Sequence, residues 1–249
     1  MFVRNETFGS FTRSYKVVTT LIAINIILYI WVALFPVLGG SFIRGYGIGS
    51  NLYIAMGEYW RLVTPIFLHG SLTHMLFNSF SLVLFGPALE NLLGKGKFIF
   101  AYFATGIIAN IATYYMEHLY YFHLGASGAI YGLFGIYLYM VLVRKDLIDR
   151  ANSQLIIIIL IIGLVMTFTR SGINEMAHLF GLISGAALAP IILRNVTSYG
   201  QYRSAPDPKE VGFNPNRWQN HARNKKRMKA IFLVGGILLV FLFIFQFFI

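Results

Sequence analysis

Cysteine is absent from the 249 residues, which excludes disulfides, thiolate zinc sites and a cysteine nucleophile. Charge is scarce as well: 12% of the residues are charged, where a soluble domain carries roughly 25%. Only 9 residues are Asp or Glu, and none lies well inside an apolar run. An intramembrane aspartate pair is therefore excluded, and a carboxylate proton relay lacks its acids. No HExxH zinc motif occurs either. What is present is apolar: 57% of residues are hydrophobic and mean hydropathy is +0.67. That composition is a membrane protein's. The net charge of +11 does not point to nucleic acid, because the basic residues flank apolar runs, as membrane topology requires.

Seven runs approach the ~20 residues that a helix needs to cross ~30 Å of hydrocarbon. They are Val17–Leu38, Leu62–Phe85, Phe98–Met116, Gly125–Val143, Gln154–Phe168, Asn174–Leu193 and Ala230–Ile249. The predicted fold class is an all-α, polytopic helical bundle: a six-helix core and one C-terminal transmembrane helix. The chain divides into an N-terminal segment (1–16), the core (17–193), a basic linker (194–229) and the seventh helix (230–249). The first run is too long for a signal-peptide core and lacks a clear cleavage site, so it reads as a retained anchor. With the N-terminus cytoplasmic and the C-terminus outside, all but Arg44, Arg61 and Arg170 of the 20 Lys and Arg lie inside. The linker carries Pro206, Pro208 and Pro215 and ends in Arg223-Asn224-Lys225-Lys226-Arg227, a polybasic cluster suited to anionic lipid. In the long connection after the first run, Tyr53, Tyr59 and Trp60 suit the headgroup level. No internal repeat of the transporter kind is evident.

Polar side chains at membrane depth are functional suspects. His69, His74 and Asn78 fall on the second run, Ser127 on the fourth and His178 on the sixth. His74 and Asn78 are four apart and share a helix face. Gly128 and Gly132 form a small-xxx-small pair beside Ser127, and Gly181 and Gly185 form another beyond His178. Helices with complementary glycine seams are natural neighbours. Packing the fourth run on the sixth would bring Ser127 and His178 together.

A serine hydroxyl needs a base within hydrogen-bond reach, and neutral imidazole suits that task. The oxyanion of a tetrahedral intermediate needs aimed donors, which the Ser127 N–H, His74 and the Asn78 amide would supply. Glu175 lies three residues before His178 but near water, so a Ser127–His178 dyad is expected rather than a triad. Tyr131, four residues after Ser127, would pack on the imidazole. His118, His123 and His221 are expected near water, without a role.

These residues resemble the rhomboid intramembrane serine proteases. Gly125-Ala126-Ser127-Gly128, with Tyr131 and Gly132 beyond, is similar to their GxSG serine motif, and Ala177-His178 with Gly181 and Gly185 to their histidine motif. His69, His74 and Asn78 fit the second-helix pattern HxxxxHxxxN; Trp60-Arg61 and Gly86/Glu90 resemble two further family elements. The resemblance runs roughly from Trp60 to Arg194. It implies a six-helix core around a water-filled cavity, Ser127 as nucleophile, His178 as base, and His74 and Asn78 in the oxyanion hole. Substrates would be transmembrane helices of single-pass or multi-pass membrane proteins, entering past the fifth helix. No metal or cofactor is implied, and the expected location is a bacterial cell membrane. Arg61 and Glu90 are expected to hold a loop and a helix end; His69 is open between support and catalysis. Two other classes remain: a histidine proton pathway, and a recruitment factor that binds client helices without cutting them.

Overall fold

The computed structural model describes Phe2 and residues 6–197. The seventh run and the linker from residue 198 onward lie outside the described residues. The elements are α1 (Phe8–Ser14), α2 (Lys16–Leu34), α3 (Ser41–Gly47), β1 (Gly49–Ser50), α4 (Asn51–Ala55), α5 (Leu72–Leu93), α6 (Lys95–Met116), β2 (Phe122–His123), α7 (Ser127–Leu142), α8 (Arg150–Thr169) and α9 (Glu175–Ile192). Among the described residues α2, α5, α6, α8 and α9 are long and apolar enough to cross a membrane. The fourth expected span, Gly125–Val143, becomes α7, which has only 16 residues, about 24 Å at 1.5 Å per residue. Almost every α7 side chain is buried. A helix surrounded by protein need not match the thickness of the lipid.

Boundaries follow local chemistry that hydropathy does not register. The second apolar run does not become helix at Leu62. Two short 3₁₀ turns, Tyr59–Leu62 and Thr64–Phe67, precede an extended stretch, and α5 starts at Leu72. Pro65 sits at the start of the second turn, where its fixed φ and missing N–H are tolerated. Ser71 Oγ then caps α5 by accepting from the His74 N–H at 3.1 Å. His69 is thus off the helix, a correction to its expected place. The far end runs to Leu93, and Gly94 stops it at φ +75°. The fifth run is likewise longer than expected, because Asp149 accepts from the Asn152 N–H at 2.9 Å and begins α8 at a polar turn.

The centre of the bundle is α7, in its most extensive contact with α9. A side chain at Gly181 would collide with the Gly128 carbonyl, and one at Gly185 with that of Gly132. These pairs step forward together on both helices, so α7 and α9 run parallel and backbone lies against backbone. On its other side, Gly132 admits Thr105 of α6. A Gly185→Val substitution therefore has no space to fill. We expect it to cost about 1–3 kcal/mol or more, read as a lower midpoint of thermal unfolding in detergent.

The N-terminal segment is more than a leader to α2. Phe2 is buried, edge-on to Phe85 of α5 and Tyr137 of α7, and its N–H donates to Asn152 Oδ1 at 3.3 Å. The Glu90 carboxylate, itself buried, accepts from the Val17 and Val18 N–H groups at 3.1 and 2.9 Å. It satisfies donors that the first turn of α2 leaves unpaired. Glu90 thus ties one helix to the start of another.

Candidate active site

The connection between α2 and α5 sets the frame for the start of α7. Its hub is Arg61, 3% exposed. The guanidinium bonds Glu58 at 2.5 Å, donates to the carbonyls of Gly45 (2.8 Å) and Ile48 (2.7 Å), and lies over the Tyr53 ring at 4.7 Å. A planar fork with five donors can hold several loop carbonyls at once. Trp60 Nε1 donates to the Tyr46 carbonyl at 3.1 Å, and Asn51 Nδ2 to those of Glu117 and His118 at the end of α6. Strand β1 pairs antiparallel with β2, Gly49 opposite His123. The loop is in this way fastened to the segment that delivers Ser127.

His123 departs from its expected place near water. It is 6% exposed, neither ring nitrogen has a hydrogen-bond partner among the described residues, and the ring fills the space beside Gly49. Burial holds its pKa at about 4, below the ordinary 6.5. The unfolded chain therefore binds this proton more readily, and stability falls as pH drops from 6.5 towards 4. The full loss amounts to about 3 kcal/mol. We expect His123→Phe to flatten that part of the curve of unfolding midpoint against pH. An unchanged slope would show that His123 does not contribute it.

Ser127 is the first residue of α7, and its side chain is partly exposed. The first-turn N–H groups have no partner within the helix and point out of its positive end. Gly125 sits just before, at φ +133°. A Cβ there would be strained, and would fall 2.8 Å from His74 Nε2 and 3.7 Å from Ser127 Oγ. One small space is thus bordered by the serine hydroxyl and the imidazole of His74.

His74 and Asn78 lie one turn apart on α5, as their spacing indicated. Asn78 is buried, and its Nδ2 has no hydrogen-bond partner among the described residues. A buried amide donor without a partner is unfavourable unless it serves a purpose. His69 is buried too, edge-on to His74 at 5.1 Å. Both its ring nitrogens lack partners among the described residues, and it holds its neighbour's ring by contact.

His178 is the fourth residue of α9. Asn174 begins that helix by accepting from the Ala177 N–H at 2.9 Å, and its Nδ2 donates to Thr113 Oγ1 of α6 at 3.0 Å. The imidazole is 8% exposed and stacks flat on Tyr131, centroids 4.1 Å apart at 15°. Tyr131 is one turn beyond Ser127, and Gly181, one turn beyond His178, abuts Gly128. Nucleophile and base candidates thus stand at the same level on adjacent helices. Thr167 of α8 completes the surroundings: its hydroxyl lies 2.8 Å from His178 Nδ1 and 3.1 Å from the Tyr131 hydroxyl. A lone threonine in an apolar run gave no signal in the sequence. Among the described residues no group of three or more His, Asp or Glu could hold a metal ion.

This arrangement has relatives. The rhomboid domain family matches residues 56–195. The chain is 50% identical over 189 residues to "Putative rhomboid protease YdcA" of Bacillus subtilis, a span covering 76% of this chain and 94% of that one. It is 39% identical over 157 residues to rhomboid protease GluP of the same organism, covering 63% of this chain and 31% of GluP. With rhomboid protease AarA of Providencia stuartii it shares 30% over 166 residues, 57% of this chain and 59% of that one. Matched across more than half its length by the family's domain, and identical at half of the aligned positions to a relative it almost entirely covers, the chain belongs to the rhomboid family.

Proposed function

We propose that this chain is an intramembrane serine endopeptidase that cleaves transmembrane segments of membrane-protein substrates through a Ser127–His178 dyad. The observation that carries the reading is the glycine seam, which sets Ser127 at the mouth of α7 level with a buried, Tyr131-stacked imidazole on α9. Ser127 Oγ attacks the scissile carbonyl carbon while His178 takes the hydroxyl proton. The resulting oxyanion is held by the Ser127 N–H, the Asn78 amide and His74. His178 then passes its proton to the leaving nitrogen as the peptide C–N bond breaks. Water, deprotonated by the same imidazole, hydrolyses the acyl-enzyme and restores the serine.

The same reading takes residues 17–193 as the catalytic core of a multi-pass protein, with the N-terminus cytoplasmic and the site toward the outer leaflet. A substrate helix would approach past α8, whose buried residues are confined to Ile156, Leu160 and Thr167. The test is incubation of the full chain with a reference transmembrane substrate in detergent or liposomes, followed by mass spectrometry of the fragments. Cleavage within or beside the membrane segment, lost with Ser127→Ala, is the expected result. Client binding without cleavage by the wild type would instead favour a recruitment factor.

A further inference from the structure

A dyad leaves open what holds the base. Neutral imidazole serves Ser127 only if its proton sits on Nδ1 and the lone pair on Nε2 faces the serine. Triad enzymes fix that tautomer with a buried carboxylate; here the hydrogen-bond partner of Nδ1 is Thr167.

Counting protons on that hydroxyl points to one tautomer. A threonine hydroxyl has one hydrogen to donate and two lone pairs to accept with. Thr167 Oγ1 lies 2.7 Å from the Gly163 carbonyl one turn earlier on α8, an oxygen that can only accept. The single hydrogen goes there. Both remaining neighbours, Tyr131 Oη at 3.1 Å and His178 Nδ1 at 2.8 Å, must then donate to Thr167. A ring that donates from Nδ1 and is neutral carries its lone pair on Nε2. Thr167 is 1% exposed, so water does not compete for these bonds. Gly163 contributes as well, since a Cβ there would fall 2.7 Å from the Tyr131 hydroxyl and displace it.

We propose that Thr167 is a positioning residue: through its bond to Nδ1 it fixes the tautomer and rotation of His178, in the place a carboxylate occupies in a triad. This rests on His178 being the base. Unlike a carboxylate, the hydroxyl adds no negative charge to stabilise the imidazolium, so its effect is smaller than the ~10⁴-fold loss that follows when a triad orienter imposes the wrong tautomer.

The test compares Thr167→Val, which keeps the shape and loses the hydroxyl, with Thr167→Ser, which keeps the hydroxyl. Ser127→Ala serves as the inactive control. We expect kcat to fall about 10–100-fold in the Val variant with KM unchanged, and the Ser variant to stay close to wild type. Nitrogen-15 NMR of labelled histidine gives the direct readout, with the His178 signal identified by its absence from His178→Ala. Wild type and Thr167→Ser should show the Nδ1–H form, and Thr167→Val a mixture. A Val variant with wild-type kcat and an unchanged Nδ1–H signal overturns the proposal, while an inactive Ser127→Ala leaves the dyad standing. Cleavage by Ser127→Ala instead removes the dyad. If the Val variant does not fold, the wild-type spectrum decides: a His178 protonated on Nε2 when neutral contradicts the inference.

Discussion

Replacing Ser127 by Ala is expected to abolish cleavage, with kcat lower by about 10⁶-fold at full effect, since removal of a catalytic serine costs about that much. The loss follows from the place of the hydroxyl. It lies at the open end of α7, bordered by Gly125 and His74. Substrate binding is expected to be retained, because the methyl group leaves the first-turn N–H groups in place. His178→Ala should be similarly severe, and the double variant no worse than either single one, as expected of residues that act as a unit. Fragment yield over time at saturating substrate is the measurement. A double variant much slower than both singles would show that the two residues work independently.

Asn78→Ala is the second large effect. The amide is buried and its nitrogen has no hydrogen-bond partner among the described residues, so the folded enzyme loses little by its removal. A donor aimed at the oxyanion acts only once charge has developed there. We expect kcat to fall about 10²–10³-fold, or ~3 kcal/mol, with KM and the unfolding midpoint nearly unchanged. A rise in KM at constant kcat would make Asn78 a ground-state contact and remove it from the oxyanion hole.

The reach of the sequence divides along a physical line. Gly128 with Gly132 and Gly181 with Gly185 were legible as seams because small residues four apart have one main use in a membrane helix. The structure places them against each other in that register. Arg61 and Glu90 were legible as fasteners of a loop and a helix end through the family elements they resemble, and they bond there to loop carbonyls and to the first N–H groups of α2. The starts of α5 and α8 were not, because a hydropathy window sees neither the Ser71 cap nor the Asp149 cap. The length of α7 was hidden for a related reason: its neighbours, not lipid, set its extent. The burial of His123 depends on a two-residue strand pairing across distant loops, and the placement of Thr167 on two hydrogen-bond contacts that reach from α8 to Tyr131 of α7 and His178 of α9. Contacts of that kind leave no periodic trace.

The central claim is that Ser127 is a nucleophile activated by His178. Labelling with a serine-directed fluorophosphonate, followed by peptide mass spectrometry to locate the adduct, addresses it most directly. The account predicts one adduct, on Ser127, absent from Ser127→Ala and strongly reduced in His178→Ala while folded Asn78→Ala still labels. Undiminished labelling of the chain without the Ser127 hydroxyl, or of the chain without the His178 imidazole, would contradict it.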